Sequence, residues 1–110
     1  MAYPSLIVVP VSNAETAKAI YSALLGVEPY ADAPYYIGYR TEGGEIGLDP
    51  HGTGGPLPYW DVDDLEGTIA ALTMAGASVT KEPSDVSPGL RIAVLADADG
   101  NPMGLRQMTK

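Results

Sequence analysis

The stretch Leu90–Met108, LRIAVLADADGNPMGLRQM, has the pattern of a β-hairpin. The apolar run Arg91–Ala96 predicts its first strand, and Pro102 opens the second. The reversal between the two strands falls on residues that favour turns, because Asp-Gly and Gly-Asn steps tolerate positive φ: Asp97, Asp99, Gly100 and Asn101. The stretch therefore predicts two apolar strands joined by a tight turn.

An internal duplication is suggested by this hairpin. Its triplet Met103-Gly104-Leu105 repeats the pattern of Ile46-Gly47-Leu48. In the first half the sequence predicts a strand, a helix and further strands: strand Leu6–Val11, a helix from Ala14 to Leu25 with apolar stripe Ala17, Ile20, Tyr21 and Leu24, an irregular segment Val27–Pro34, and strands Tyr35–Thr41 and Glu45–Asp49. We predict that Ser12 and Glu15 form the capping box of this helix and that Gly26 ends it.

The second half predicts the same order of elements. They are strand Leu57–Val62, a helix to Ala75 with stripe Leu65, Ile69 and Leu72, strand Ser78–Glu82, a loop Pro83–Gly89, and the hairpin. Here the capping pair is Asp63 with Glu66, and Gly76 is the stop. We therefore predict an α+β fold, a single domain over residues 1–110 with a first module at 1–53 and a second at 54–110. Helices covering one face of a curved sheet leave the other face for a ligand.

Composition excludes several classes of protein. Fourteen acidic residues against six basic ones give a formal charge of −8, which argues against nucleic acid or an anionic membrane as partner. Cysteine is absent, so disulfides and thiolate metal sites are excluded. The early apolar run is too short for a membrane span and has no basic segment before it, so we expect a cytoplasmic protein. The acidity would also suit a cationic ligand.

Three motifs resemble the vicinal oxygen chelate superfamily, which includes glyoxalase I, extradiol dioxygenases and bleomycin-resistance proteins. They are the stretch from Val11 through Tyr21 to Leu24-Leu25-Gly26, the helix entry Asp61-Val62-Asp63-Asp64-Leu65, and Asp97-Ala98-Asp99-Gly100-Asn101-Pro102 leading to Gly104-Leu105. The resemblance covers almost the whole chain. It implies two βαβββ modules that form a curved, cup-shaped mixed sheet with helices on the outer face, and it implies a homodimer.

In metal-dependent members of that family, side chains near the start of the first strand and in the middle of the last strand of each module hold a divalent ion. The corresponding positions here are Leu6, Gly47, Leu57 and Gly104. None of these offers an oxygen or nitrogen ligand from its side chain, so we expect no metal site and no cofactor.

Candidate ligand-binding residues follow from the alternation of side chains along strands. Glu45 and Asp49 share the parity of Gly47, and Arg106 shares that of Gly104. Tyr59 is predicted to face the ligand and Trp60 the helices. Tyr39 is included from a cluster with Tyr35 and Tyr36, of which at least one is expected to line the cavity. The ligand-binding set is thus Tyr59, Arg106, Glu45, Asp49, Tyr39, Gly47 and Gly104, while Arg91 and His51 are weaker candidates.

Two functions follow from these residues, and a third remains open. The first is a metal-free small-molecule binding protein. The overall acidity of the chain favours a cationic ligand, whereas Arg106 favours an acidic one. The second is a lyase or isomerase that uses tyrosine and carboxylate groups for acid-base chemistry. The third, a structural partner subunit, requires an exposed apolar surface that the sequence does not locate.

Overall fold

The computed structural model describes residues 4–52 and 54–108, which contain eight strands and two helices. The elements in chain order are β1 Pro4–Pro10, α1 Ala14–Leu25, β2 Ala31–Ala33, β3 Tyr36–Thr41, β4 Gly44–Asp49, β5 Leu57–Asp61, α2 Leu65–Ala75, β6 Ser78–Ser87, β7 Leu90–Ala96 and β8 Pro102–Met108. Each half is a βαβββ module, so the predicted α+β class is confirmed. Neither helix in the described ranges is long and apolar enough to cross a membrane.

The chain divides into two compact units, an N-terminal unit over Ser5–Leu57 and a C-terminal unit that begins at Pro58. In the N-terminal unit the strand order is β2-β3-β4-β1, and only the β4/β1 pair is parallel. In the C-terminal unit the order is β6-β7-β8-β5, and there the β8/β5 pair is parallel. The same arrangement therefore occurs twice in one chain.

Each unit buries one face of its strands under its own helix. In the N-terminal unit Ile37, Tyr39 and Leu48 form the centre of the core, and Ala14, Ala17, Tyr21 and Leu25 of α1 pack against it. In the C-terminal unit the central residues are Leu65, Ala93, Leu95 and Leu105, with Trp60, Ile69 and Leu72 packed around them. The predicted stripe of α2 is confirmed.

The stripe predicted for α1 was wrong in two of its members. Ile20 and Leu24 have exposed fractions of 58% and 72%, so they lie on the outer side of the helix. The helix is rotated so that Ala14 and Leu25, at its two ends, contact the core together with Ala17 and Tyr21. The small side chains of the two alanines allow α1 to approach the strands closely.

The N-cap of each helix lies one residue later than predicted, although α1 begins at Ala14 as predicted. The N-cap of α1 is Asn13, whose Oδ1 accepts a hydrogen bond from the Thr16 N–H at 3.0 Å. That of α2 is Asp64, whose Oδ1 accepts from the Gly67 N–H at 3.1 Å. The side-chain oxygen of Gln107, a residue of β8, accepts a hydrogen bond from the Leu65 N–H at 2.6 Å. This contact stabilises the first turn of α2. Ser12 and Asp63 are therefore not the caps, whereas Gly26 and Gly76 end the helices as predicted.

Strand β6 is longer than predicted, because Pro83–Ser87 is strand and not loop. Its pairing with β7 shifts register three times, between Val79 and Lys81, between Lys81 and Ser84, and between Asp85 and Ser87. Bulges of this kind accommodate a proline in a strand, since Pro83 has no N–H to donate. Pro83 therefore interrupts the pairing without ending the strand.

The hairpin agrees with its prediction. Asp97 Oδ1 accepts hydrogen bonds from the backbone N–H groups of Asp99 and Asn101, each at 2.9 Å, and Gly100 adopts φ 85°. The Asn101 side-chain amide donates to the same carboxylate, and these bonds hold the pKa of Asp97 below its ordinary value. The turn residues thus determine where β7 ends and β8 begins.

Candidate functional site

Two strand faces, one in each unit, carry the residues predicted to bind a ligand, with the exception of Tyr39. The first, opposite α1, is called the Gly47 face and consists of Tyr36, Gly38 and Arg40 of β3 with Glu45, Gly47 and Asp49 of β4. The second, opposite α2, is called the Gly104 face and consists of Tyr59, Asp61, Ile92, Val94, Gly104 and Arg106. Alternate residues of a strand point to the same side, so the strand pairing brings the side chains of each face together.

A tyrosine ring covers the central glycine of each face. A Cβ atom on Gly104 would lie 2.6 Å from Tyr59 Cε1 and 2.8 Å from its Cγ, so the ring lies flat over the Gly104 backbone. A Cβ atom on Gly47 would overlap the Tyr36 hydroxyl and lie 2.6 Å from Cζ. The first position is thus covered by an aromatic face and the second by the phenol end of a side chain.

The two tyrosines reach equivalent glycines from different strands. Tyr59 lies on β5, and its Cα is paired with that of Gly104 on β8. Tyr36 lies on β3, the antiparallel neighbour of β4, at the end next to the Ile37/Leu48 pair. The space above the glycine is therefore filled from β5 in one unit and from β3 in the other. Because its ring packs on Gly104, Tyr59 is only 9% exposed.

On the Gly104 face Arg106 forms a fork with Asp61. The Nε–Oδ1 distance is 2.7 Å and the Nη2–Oδ2 distance is 3.4 Å. The Arg106 side chain is only 14% exposed, whereas that of Asp61 is 53% exposed. Parallel pairing of β5 and β8 puts the two residues directly beside each other, one step along the face from Tyr59 and Gly104. The guanidinium predicted to bind a ligand carboxylate is already bound to a carboxylate of the chain.

The Tyr30 side chain contacts three residues of the Gly47 face, namely Glu45, Arg40 and Gly38. Its hydroxyl donates to Glu45 Oε1 at 2.8 Å. The Arg40 guanidinium carbon lies 4.1 Å from the centroid of the Tyr30 ring, a cation–π contact. The ring edge lies against Gly38, where a Cβ atom would be 2.9 Å from Cε2. Tyr30 thus orients the Glu45 carboxylate.

Asp49 and Tyr39, also predicted to bind ligand, have structural partners. Asp49 Oδ1 accepts from the His51 N–H at 2.9 Å, which holds the loop after β4. Tyr39 is fully buried under α1, and its hydroxyl donates to the Lys18 carbonyl at 3.0 Å and is bonded to Ser22 Oγ at 2.9 Å. Since Tyr39 lies on the helix side of the strand, we remove it from the candidate site. Tyr36, on the other side of β3, takes its place.

The weaker candidates lie away from both faces. Arg91 is on the helix side, where its guanidinium contacts Glu66 at 2.6 Å and Asp85 at 3.5 Å. The bond to Arg91 is the main cause that lowers the pKa of Glu66. His51 is exposed at a groove of about 530 Å³ lined by Pro10, Val11, Ser12, Pro50, His51, Gly52 and Gly54. Neither residue belongs to the candidate site.

The four positions that the family resemblance assigns to metal ligands do not fit a metal ion. The space above Gly47 and Gly104 is filled by tyrosine, and Leu6 and Leu57 offer only hydrocarbon. Among the described residues, no group of three or more His, Cys, Asp or Glu side chains lies in an arrangement that could hold a metal ion. The donor atoms that a divalent ion requires are therefore not assembled at these positions.

Sequence patterns did not identify Tyr30, Arg40 or Asp61 as parts of the site, and they indicated Tyr36 only within a cluster of tyrosines. One signal was present in the sequence, because Gly38, Gly47 and Gly104 lie inside strands, where glycine often marks the close approach of another group. That signal indicates that a group lies above the strand. Which group it is depends on packing.

Solved structures with the same fold cover nearly all of the chain. A Legionella pneumophila protein named NAD-dependent benzaldehyde dehydrogenase has a TM-score of 0.76 at 17% identity, over 94% of this chain and 98% of its own. A glyoxalase/bleomycin resistance protein/dioxygenase superfamily member from Vibrio splendidus gives 0.72 at 15%, over 98% and 97%. Methylmalonyl-CoA epimerase from Mycobacterium tuberculosis gives 0.73 at 16%, over 97% and 88%. At these identities the similarity shows the fold alone.

At the level of sequence, no curated protein matches this chain. The model of one family, the glyoxalase/bleomycin resistance protein/dioxygenase superfamily, matches residues 5–105. That range includes nearly all of both βαβββ modules and every residue of the two faces except Arg106. The chain therefore belongs to the glyoxalase/bleomycin resistance protein/dioxygenase superfamily.

Proposed function

We propose that the chain is a metal-independent small-molecule binding domain whose ligand contacts the Gly104 face. The observation that carries this proposal is the Tyr59 ring lying over Gly104, matched by Tyr36 over Gly47. The Tyr59 ring lies over the first of these positions and the phenol end of Tyr36 over the second. Stacking of a planar ligand on such a ring contributes about 0.5 to 1.5 kcal/mol beyond the burial of area.

A thermal-shift screen of planar aromatic compounds tests this proposal. The compounds are measured against the wild type, Tyr59→Ala and Tyr35→Ala, each relative to the melting temperature of the same variant without ligand. Tyr35 is the matched control because it is 71% exposed and belongs to neither face. We expect hits to lose their shift in Tyr59→Ala and to keep it in Tyr35→Ala. Hits that survive in Tyr59→Ala would contradict a site on the Gly104 face.

Elemental analysis tests the metal-independent part separately. Protein purified without chelators is expected to contain Zn, Ni, Fe and Mn at well below one ion per chain. One tightly held ion per chain, lost after substitution of Glu45 or Asp61, would show that these faces coordinate metal through residues other than the four assigned positions. That outcome would contradict the metal-independent proposal even if the aromatic screen succeeded.

A second candidate function, an isomerase or lyase, is supported by one observation. The Tyr30 hydroxyl and Glu45 Oε1, 2.8 Å apart, form a phenol-carboxylate pair of the kind that transfers protons. A structure of similar fold is named methylmalonyl-CoA epimerase, which adds to the case for an isomerase. Solvent deuterium incorporation into carbon acids that bind in the screen tests it. Incorporation that is lost in Glu45→Gln but kept in Glu42→Gln would favour the enzyme over the binding protein.

A further inference from the structure

The charged side chains of the two faces have partners within the chain. On the Gly104 face the Arg106 guanidinium is held by Asp61 through two contacts, and its side chain is 14% exposed. A ligand carboxylate that bound the Nε/Nη2 edge of Arg106 would have to displace Asp61, which is attached to the neighbouring strand and is therefore already in position. The gain from a charge-assisted bond would be offset by the loss of an equivalent one.

On the Gly47 face the charged side chains contact neutral groups, which do not cancel their charges. Glu45 accepts from the Tyr30 hydroxyl, and Asp49 accepts from the His51 N–H. Arg40 lies on the Tyr30 ring, so the aromatic surface that would attract a ligand cation already carries one. A cationic ligand would compete with a guanidinium on the same strand as Gly38.

The formal charge of −8 is also not concentrated on these faces. They hold two cations, Arg40 and Arg106, and three anions, Glu45, Asp49 and Asp61, a net charge of 2 − 3 = −1. Most of the acidity lies elsewhere in the chain. The overall charge therefore gives little information about the charge of the ligand.

We infer that the Gly104 face selects a neutral planar ligand over carboxylate and amidinium analogues of the same shape. This inference rests on the proposed function and assigns its ligand class. The Tyr59 ring supplies the attraction, and the ion pair between Arg106 and Asp61 supplies the discrimination, because it leaves this face without a net charge. It replaces both ligand charges that the sequence suggested, the cation favoured by overall acidity and the acid favoured by Arg106.

Three probes of nearly identical shape test the inference: benzamide, benzoate and benzamidine, which are neutral, anionic and cationic near pH 7. Dissociation constants are measured by ligand-observed NMR at fixed ionic strength. For the wild type we expect benzamide to bind most tightly. Asp61→Asn leaves Arg106 without its carboxylate, so the preference for benzoate over benzamide should rise about tenfold relative to the wild type, with Asp61→Ala as a second variant of the same effect.

Two further variants complete the experiment. Tyr30→Phe removes the hydroxyl bound to Glu45 on the Gly47 face, and we expect it to leave the three preferences unchanged. Glu66→Gln is the matched control, because it removes a carboxylate from Arg91 on the helix side of the strands and should leave all three preferences unchanged.

The outcomes separate this inference from the proposed function. A wild type that prefers benzoate or benzamidine, or an Asp61→Asn variant with an unchanged preference, overturns the neutral-ligand inference and leaves the binding function in place. Failure of all three probes overturns the inference too, while Tyr59-dependent hits from the wider screen would still support the function. Failure of both the probes and the screen contradicts the binding function itself.

Discussion

Gly104 illustrates how a single missing side chain determines the surface of a strand. Alanine at this position would put a Cβ atom among the ring carbons of Tyr59, which is 9% exposed and has little room to move. Its neighbours on the strand, Met103 and Leu105, point to the helix side and pack in the core of the C-terminal unit. Glycine is thus required here for close approach of a ring.

We predict that Gly104→Ala destabilises the protein by about 1 to 3 kcal/mol, because it overpacks a filled site. In a Tyr59→Ala background the same substitution should cost close to nothing, since the ring is gone. Chemical denaturation of the four proteins in this cycle measures both values. Gly43→Ala is the control, as a Cβ atom there would meet nothing within 4 Å. An equal cost in both Tyr59 backgrounds would show that the ring does not lie over Gly104.

At the scale of one element, the start of α1 shows how a cap is chosen between two adjacent polar residues. Ser12 with Glu15 and Asn13 with Thr16 are both possible starts by spacing. The backbone of Asn13, with φ −131° and ψ 102°, has the extended conformation of an N-cap residue. We expect Asn13→Ala to lower the free energy of unfolding by about 1 kcal/mol and Ser12→Ala to change it by much less. If urea denaturation shows a larger loss of unfolding free energy for Ser12→Ala than for Asn13→Ala, Ser12 is the N-cap.

The hairpin turn gives a prediction about pH. Bonds from the Asn101 side chain and from backbone N–H groups lower the pKa of Asp97 below its ordinary value of 3.8. A lowered pKa in the folded state means that Asp97 stabilises the fold above pH 3.8, and this contribution is lost as the pH falls through the folded-state pKa. The stability difference between wild type and Asp97→Ala should therefore shrink as the pH is lowered below 3.8. Asp99→Ala is the control, because its carboxylate takes no part in these bonds; a difference independent of pH would contradict the assignment.

For the whole molecule we predict self-association. Several large apolar side chains are exposed in the described ranges, including Ile20 and Leu24 on the outer side of α1, and β6 is an outer strand of its unit that pairs with β7. Exposed strand edges and apolar patches are commonly covered by a second subunit. Sedimentation velocity at micromolar concentration should show a homodimer. A monomer throughout the accessible concentration range would contradict this.

Much of the fold could be predicted from the sequence, because turns, helix ends and the alternation along strands depend on residues that are close together in the chain. Turn residues identified the hairpin, glycines identified both helix ends, and the alternation of polar and apolar residues assigned Trp60 to the helix side and Tyr59 to the other. These features depend on a few neighbouring residues and on the fixed periods of helices and strands. The same alternation put Glu45 with Gly47 and Arg106 with Gly104.

Only the tertiary structure decided what those side chains contact. Asp61 and Arg106 meet because β5 and β8 pair in one particular register, and Tyr36 rather than Tyr39 faces Gly47 because α1 covers the other side of β3. Such contacts join residues far apart in the chain, and their geometry depends on how helices and strands pack together. The sequence thus established where the candidate side chains other than Tyr39 point, whereas packing established that Arg106 is paired with Asp61 and that Gly47 and Gly104 are covered by tyrosine.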